Sequence, residues 1–576
     1  TDKNDAIGFE ALKTDTLGTA SVAIGHGALS TQNHTSAAQT FNVAIGFDSG
    51  KSITTGTKNT LIGNETGDAL TTGNTNVAVG NRALSTDTLG DHSVAIGDGA
   101  LQTQNFTSST DNYNIGIGSS AGNAITTGIY NTFIGGLAGD AQTVADNNTA
   151  VGYEALSTNT NGSGSVAIGF RALKTQNYGS ATDSLNVAVG NASGTAVTTG
   201  TKNTLIGHAT GQNQTDAGNN TFIGHKAGNA ETRGHNSVAV GSNALLVQDT
   251  TSNASIDNTA VGYNVGKSVT TGVKNTLIGS GTGDGITTGD RNTAVGYFAL
   301  GGAVDDGQYN TCIGADAGLV TTGDQNTFVG AYDPSTGGSG AEITSGSKNT
   351  ILGSYNGNQD SLDIRTGSNN VVLSDGDGTV AAYRTGSSGA RSWYLIGDAD
   401  SNVGLFVRNQ SSTNPYGMAI QFPNEANNNT NQYFIVCTDS SASRFLVYAN
   451  GNVVNQNNSY GAISDVKLKE QIADASSQWD DIKALKIRKY KMKEEVSAKG
   501  DSDDLWRLGV VAQELETAKM NGLVEETPDR DEDMKDLGTT TKSVKYSVLY
   551  MKAVKALQEA MARIETLETK VKALEG

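Results

Sequence analysis

At 576 residues the chain is long enough for several globular domains, but 73 glycines, 4 prolines and 36% hydrophobic residues do not describe an ordinary enzyme of that size. A formal charge of −19 leaves no electrostatic footprint for a nucleic-acid backbone or an anionic membrane. No apolar run reaches the length of about 18 residues that a spanning helix needs, and no charged-then-apolar start reads as a secretory signal, so no membrane insertion is expected. The chain begins at Thr1, so an anchoring segment ahead of it is left open. Cys312 and Cys437 are too far apart for a metal motif and too few for a disulfide framework; two free thiols, at least half-buried, are expected.

In the first 353 residues a pentapeptide recurs: Asn or Ser, a β-branched residue, a small or apolar one, Ile or Val, then Gly. Ser21 to Gly25, Asn59 to Gly63, Asn203 to Gly207 and Asn326 to Gly330 are examples. The closing glycines fall mostly 17 residues apart, with a step of 21 every fourth time. Gly25, Gly97, Gly169 and Gly241 are therefore each 72 apart, a super-repeat. After Gly296 the spacing loosens to Gly314, Gly330 and Gly353, as expected where a solenoid ends and needs a cap.

Each unit predicts two very short strands with turns, one of them the pentapeptide; Ala121-Gly122 and Thr126-Thr127-Gly128 show the turn pattern. A period of two sends Val22 and Ile24 to one face of the strand and Ala23 to the other. Asn59-Thr60-Leu61-Ile62 is apolar or β-branched on both. A thin coil has one interior, so a second apolar face implies that neighbouring chains pack against it. The four extra residues of the 21-residue steps, within His34 to Gln39 and Phe106 to Asp111, are expected to bulge from one edge as spacers or decoration. Asn236-Ser237-Val238-Ala239-Val240-Gly241 is similar to the head repeat of trimeric autotransporter adhesins. Those repeats are shorter than 17 residues and no membrane-anchor barrel follows here, so the likeness is to the type of coil.

Residues 354–390 read as a cap or linker. From 391 to 463 a compact β domain is expected, because residues 391 to 460 hold ten of the chain's 34 aromatics and alternate over Tyr433 to Thr438 and Phe445 to Tyr448. At Ser464 the composition shifts again: residues 464 to 576 carry 20 of the 39 Lys and Arg but 5 of the 73 glycines, and predict helices with a few strands. The last helix places Tyr550, Ala553, Leu557, Ala560, Ile564, Leu567, Val571 and Leu574 at steps of three and four, a coiled-coil seam that needs partners. The fold class is thus mainly β, a trimeric β-roll or β-solenoid shaft of 17-residue rungs, then a small β domain and an α+β domain ending in that helix.

At the boundary stands Gly461-Ala462-Ile463-Ser464-Asp465-Val466-Lys467-Leu468-Lys469. On its own, Ser464-Asp465 ahead of a Lys-rich segment is a helix N-cap with Asp465 in the first turn. Together with Gly509-Val510-Val511-Ala512-Gln513-Glu514 and the helix from Tyr546, the segment resembles the self-cleaving intramolecular chaperone at the C-terminus of viral endosialidases and other tail spikes and fibres. That resemblance implies cleavage between Ile463 and Ser464 by a Ser-Lys dyad, with Ser464 as nucleophile and Lys469 as base. A lysine takes that proton only where burial or a neighbouring positive charge holds it neutral, and Lys467 offers such a charge beside Asp465. Lys467 stands where the family usually has arginine, and Trp506-Arg507 precedes the glycine where a histidine is expected nearby. A step of five on a helix sets two side chains about 140° apart, so a turn or a neighbouring chain must join Ser464 to Lys469. No metal and no cofactor is called for.

The expected function is a homotrimeric tail-fibre subunit for host attachment, assembled in the host cytoplasm and carried on the virion outside it. Its partners would be two further copies, other virion tail proteins and a host-surface glycan or protein receptor, with no nucleic acid. The rivals are a bacterial trimeric surface adhesin and a polysaccharide depolymerase spike. A depolymerase needs a carboxylate pair in a groove, whereas Asp140, Asp284 and Asp290 adjoin turn glycines, where Asp is a turn former. Asp398 with Asp400, and Asp529 to Asp533, match no calcium-loop spacing.

Overall fold

A computed structural model gives the fold and describes residues 3–250, 252–302, 307–330, 332–335, 337–386, 393–395, 433–438, 443–448, 453–455, 469–493, 496–497, 500–501, 504, 506–530 and 536–576. The chain divides into two compact units, Thr1–Phe406 and Val407–Gly576.

The first unit is a β-solenoid of about 21 turns. Every turn contributes one three-residue strand, Asp5–Ile7 the first, and each pairs in parallel with the next so that like stacks on like: Val43 on Thr60, Ala44 on Leu61, Ile45 on Ile62. The middle residue of the strand points into the coil. From Ala23 to Val372 it is fully buried wherever it is apolar, and where it is large, as at Phe133, the turn opposite supplies Gly122 and Gly139 to make room. A second interior row of Leu29, Ile53, Leu70 and Leu84 from the turns completes the core.

Two further columns explain the rest of the pentapeptide. The residue before the strand forms a buried ladder: the Oδ1 of Asn59 accepts the backbone N–H of Asn76 at 3.0 Å, and its Nδ2 donates to the carbonyl of Gly73 at 2.9 Å, closing its own turn. Ser21, Ser93, Ser165 and Ser237 interrupt the ladder every fourth turn, and a glutamine from the following 21-residue turn bridges the gap. Gln104 donates to Ser93 Oγ at 2.8 Å and accepts from Asn114 Nδ2 at 2.9 Å. The closing glycines, with φ between +130° and +145° from Gly8 to Gly314, stack so closely that a Cβ on Gly207 would run into the carbonyl of Gly224.

Among the described residues of the repeats the second strand predicted for every unit is present only where a 21-residue step occurs, as the two-residue pairs Gly18–Thr19 with Ala38–Gln39, Gly90–Asp91 with Thr110–Asp111, and Gly162–Ser163 with Thr182–Asp183. In the 17-residue turns isolated bonds do that work instead, such as Thr54 N–H to the Thr71 carbonyl at 2.9 Å and Thr71 Oγ1 to the Thr88 carbonyl at 3.0 Å. The extra residues are anchored inward rather than only bulging: Phe106 and Tyr178 are each 5% exposed, and Tyr178 Oη donates to the Gly200 carbonyl at 2.6 Å. At the far end the strand Val371–Ser374 switches to antiparallel pairing with Val380–Arg384, which pairs with Trp393–Leu395.

The outer face of this sheet is its most unusual feature. The third residue of all 21 strands is Ile, Val or Leu, from Ile7 to Leu373, and the first is β-branched in every strand after Asp5–Ile7. These side chains remain half-exposed or exposed, Ile206 at 37% and Ile278 at 40% among them.

In the second unit Tyr433–Thr438, Ser443–Tyr448 and Val453–Asn455 form an antiparallel sheet within the stretch expected to be a compact β domain; most of that stretch lies outside the described residues. The α+β region follows, with helices Trp479–Ala484, Ala512–Thr517 and Tyr546–Glu575, the pair Arg488–Tyr490 with Arg507–Gly509, and the hairpin Val524–Arg530 with Asp536–Val544. Its core is Val510, Leu515, Met520, Leu523 and Leu549. Of the two cysteines, Cys312 is buried as expected, whereas Cys437 is exposed rather than half-buried, on a strand whose neighbouring Val436 is exposed as well. Among the described residues no helix is long and apolar enough to cross a membrane, and no group of His, Cys, Asp and Glu is placed to hold a metal ion.

Candidate functional site

Of the residues expected to carry chemistry, Ile463, Ser464, Asp465 and Lys467 lie outside the described residues. Lys469 is exposed at the start of a segment that runs without helix or strand to Gln478. Two of the sequence motifs meet in the scaffold downstream of that segment.

Gly509 ends the strand that precedes helix Ala512–Thr517, and a Cβ there would lie 2.8 Å from Tyr546 Oη and 3.1 Å from Tyr490. Its glycine lets the first residue of the C-terminal helix reach across, where Tyr546 Oη accepts the Val510 N–H at 3.5 Å. The next residues split by face: Val510, Ala512 and Leu515 go to the core, and Glu514 turns out to receive Arg488. Arg488 Nε donates to both carboxylate oxygens, at 3.1 and 3.0 Å, and these bonds hold the Glu514 carboxyl below its usual range. On the other side of the same helix Glu516 accepts from Lys542 at 2.7 and 2.9 Å, which fastens the hairpin and, with Glu526, pushes the Lys542 ammonium up. Trp506, which stands near the position where a histidine was expected, has Lys489 and Lys491 over its ring at 4.4 and 4.8 Å.

Residues 464–525 match the family model described as the chaperone of endosialidase. The region that follows the shaft therefore carries a chaperone domain of that kind. The match opens on Ser464 and takes in Gly509 to Glu514, while the Tyr546–Glu575 helix lies beyond it. No curated protein and no solved structure matches the chain.

Sequence reasoning missed a set of contacts between the start of this chaperone domain and the terminal helix. Glu559 accepts from Ser477 Oγ at 2.7 Å and from the Gln478 N–H at 2.9 Å, which together hold its carboxyl low. Lys552 donates to Asp481 at 2.6 Å and to Gln478 at 2.5 Å, and the Arg563 guanidinium lies 4.2 Å over Trp479. Lys552, Ala556, Glu559 and Arg563 recur at steps of four, three and four, immediately beside the predicted seam. That mixed polar row was the available signal, hidden because only Ala556 in it is apolar. The seam itself is bare: Leu557, Ile564, Leu567 and Leu574 are all exposed, and so is every residue from 561 to 576.

Proposed function

We propose that the chain is one subunit of a homotrimeric viral tail fibre that attaches to a host surface, and that its chaperone domain templates trimer assembly and then cuts itself off before Ser464. The reading is carried by one conjunction: a chaperone domain follows a shaft whose outer face is an unbroken aliphatic row. Strands about 4.8 Å apart make such a row about 100 Å long. A bare strip of this size, on the order of 1,000 Å² per chain, exceeds what monomers expose and matches what stable assemblies bury.

Because every turn presents nearly the same residues, copies of the shaft slipped by one turn would fit almost as well. A seed that fixes register at one end removes that ambiguity. Its removal afterwards makes the assembled fibre kinetically rather than thermodynamically stable.

In the cleavage step the Ser464 hydroxyl attacks the Ile463 carbonyl while Lys469 takes its proton. The peptide C–N bond breaks as Lys469 passes that proton to the leaving nitrogen, so Ile463 is esterified to Ser464 and the Ser464 amine is free. Water then cleaves the ester, giving an Ile463 carboxylate and restoring the hydroxyl. Lys469 is exposed in the single chain, so a second copy would have to cover it before it could serve as the base, with Lys467 beside it and Asp465 opening the released domain. The fibre would bind a host glycan or protein receptor, join other tail proteins and reside on the virion.

Intact mass of the purified protein beside Ser464→Ala tests this. The reading expects a product ending at Ile463 and a fragment of residues 464–576 from the wild type, and a whole chain from the variant. Two whole chains that nonetheless trimerise would make the domain a permanent cap, and a surface adhesin would become the better reading.

A further inference from the structure

The C-terminal helix has two adjacent faces with different fates. Leu549, Lys552, Ala556 and Glu559 turn to their own chain, whereas the neighbouring row through Leu557, Ile564 and Leu567 is exposed. Where the two faces meet, the short helix Trp479–Ala484 stands off far enough to leave a cavity of about 490 Å³ lined by Trp479, Ile482, Lys483, Ala553, Ala556 and Leu557.

Three properties of this cavity say what fills it. The C-terminal helix lines it with Ala553 and Ala556 as well as Leu557, so small residues leave room at the helix surface. Its lining is apolar but for Lys483, without the convergent polar groups that orient a small molecule. And it is continuous with the bare row, since Ala553 and Leu557 belong to both. A 30-residue helix with its last four turns exposed also calls for another helix beside it.

We propose that the cavity between Trp479–Ala484 and the C-terminal helix is the seat for the C-terminal helix of a second copy of this chain, whose aliphatic side chains enter against Trp479 and Ile482. The trimer seed is then two-part: the terminal helices meet along their bare rows, and each short helix closes over its neighbour. This rests on the trimeric reading above and adds to it a surface the heptad pattern did not contain. It also gives the Glu559, Lys552 and Arg563 contacts a role, because they fix the short helix at the height of Ala553.

The test uses the full chain with Ser464→Ala, so that the domain is retained. Refolded from denaturant and counted by native mass, the Ala553→Phe variant is expected to give at least tenfold fewer trimers; Ala553 is exposed, so its own chain accommodates the ring. Equal trimer yield overturns the seat while leaving the trimer standing. Single chains from the unmodified sequence overturn the trimeric reading and the seat together. Independently, with Trp393→Phe and Trp506→Phe leaving Trp479 as the only indole, acrylamide should quench assembled chains at least threefold less than unassembled ones; equal quenching overturns the seat.

Discussion

In the shaft each turn of 17 residues buries a strand side chain, a turn side chain and a ladder residue, and the turns on either side supply the walls. Among the described residues of the chaperone domain five buried side chains make the core and a 30-residue helix runs past them. The shaft is thus complete inside and unfinished along one outer face, whereas the chaperone domain is thin inside and unfinished along one helix. Both deficits are aliphatic rows at regular spacing, which another copy of the same chain can cover. The difference lies in redundancy: the shaft offers 21 near-equivalent turns and hence many wrong registers, while the helix presents one short row.

The contrast predicts that substitutions in the shaft act through stacking. Gly207→Ala should have the largest effect, because it combines a φ of +139° with a Cβ driven into the Gly224 carbonyl; about 4 kcal/mol or more is expected, read as the unfolding midpoint in urea. Gly179→Ala, with nothing within 4 Å, should shift stability by no more than ~0.5 kcal/mol. Equal effects at the two sites would show that the column does not set the fold.

Asn203→Ala comes next. Asn203 Oδ1 accepts the Asn220 N–H at 3.0 Å and Nδ2 donates to the Ala217 carbonyl at 2.8 Å, so removal strands one buried donor and one buried acceptor, at a cost of roughly 2–4 kcal/mol. Faster amide exchange should be confined to the turns on either side.

A smaller effect than that of Asn203 has the opposite sign. Burial pushes the Asp140 carboxyl up to about 6 and leaves its Oδ1 without a partner among the described residues. The raised value means the charged form is disfavoured in the fold. The cost is absent below the unfolded value near 3.8, grows as pH rises and is complete above about 6. Asp140→Asn should therefore stabilise the shaft by ~1 kcal/mol at neutral pH, since the site is half-exposed and solvent screens part of the shift, and should change little below pH 4. A variant less stable at neutral pH would contradict this.

Much of the shaft was legible because its constraints are local and repeated. The glycine spacing located the turns up to Gly353 but not the last, whose strand Val371–Ser374 carries Ser374 in place of the closing glycine and falls in the stretch expected to be a cap or linker, and the strand period separated Ala23 from Val22 and Ile24 correctly. The second strand was misjudged because Thr-Thr-Gly turns hydrogen-bond across turns without ladder pairing, which no pattern in a single turn reveals. The inward seats of Phe106 and Tyr178 were equally hidden, being set by space that the preceding turn leaves open. In the chaperone domain the motif Gly509 to Glu514 was legible as a motif, but the reason for its glycine, the approach of Tyr546, joins residues 37 apart in sequence. The polar contacts of Lys552 and Glu559 span 71 to 82 residues and leave no periodic apolar trace.

The central claim is that the outer aliphatic row is a contact between copies, and native mass in solution tests it most directly. The wild type should weigh three copies, and a chain carrying Ile206→Lys and Ile223→Lys, adjacent on that row, should fall to smaller species. A wild type that remains a stable single chain, or a double variant that trimerises as well as the wild type, would contradict the account.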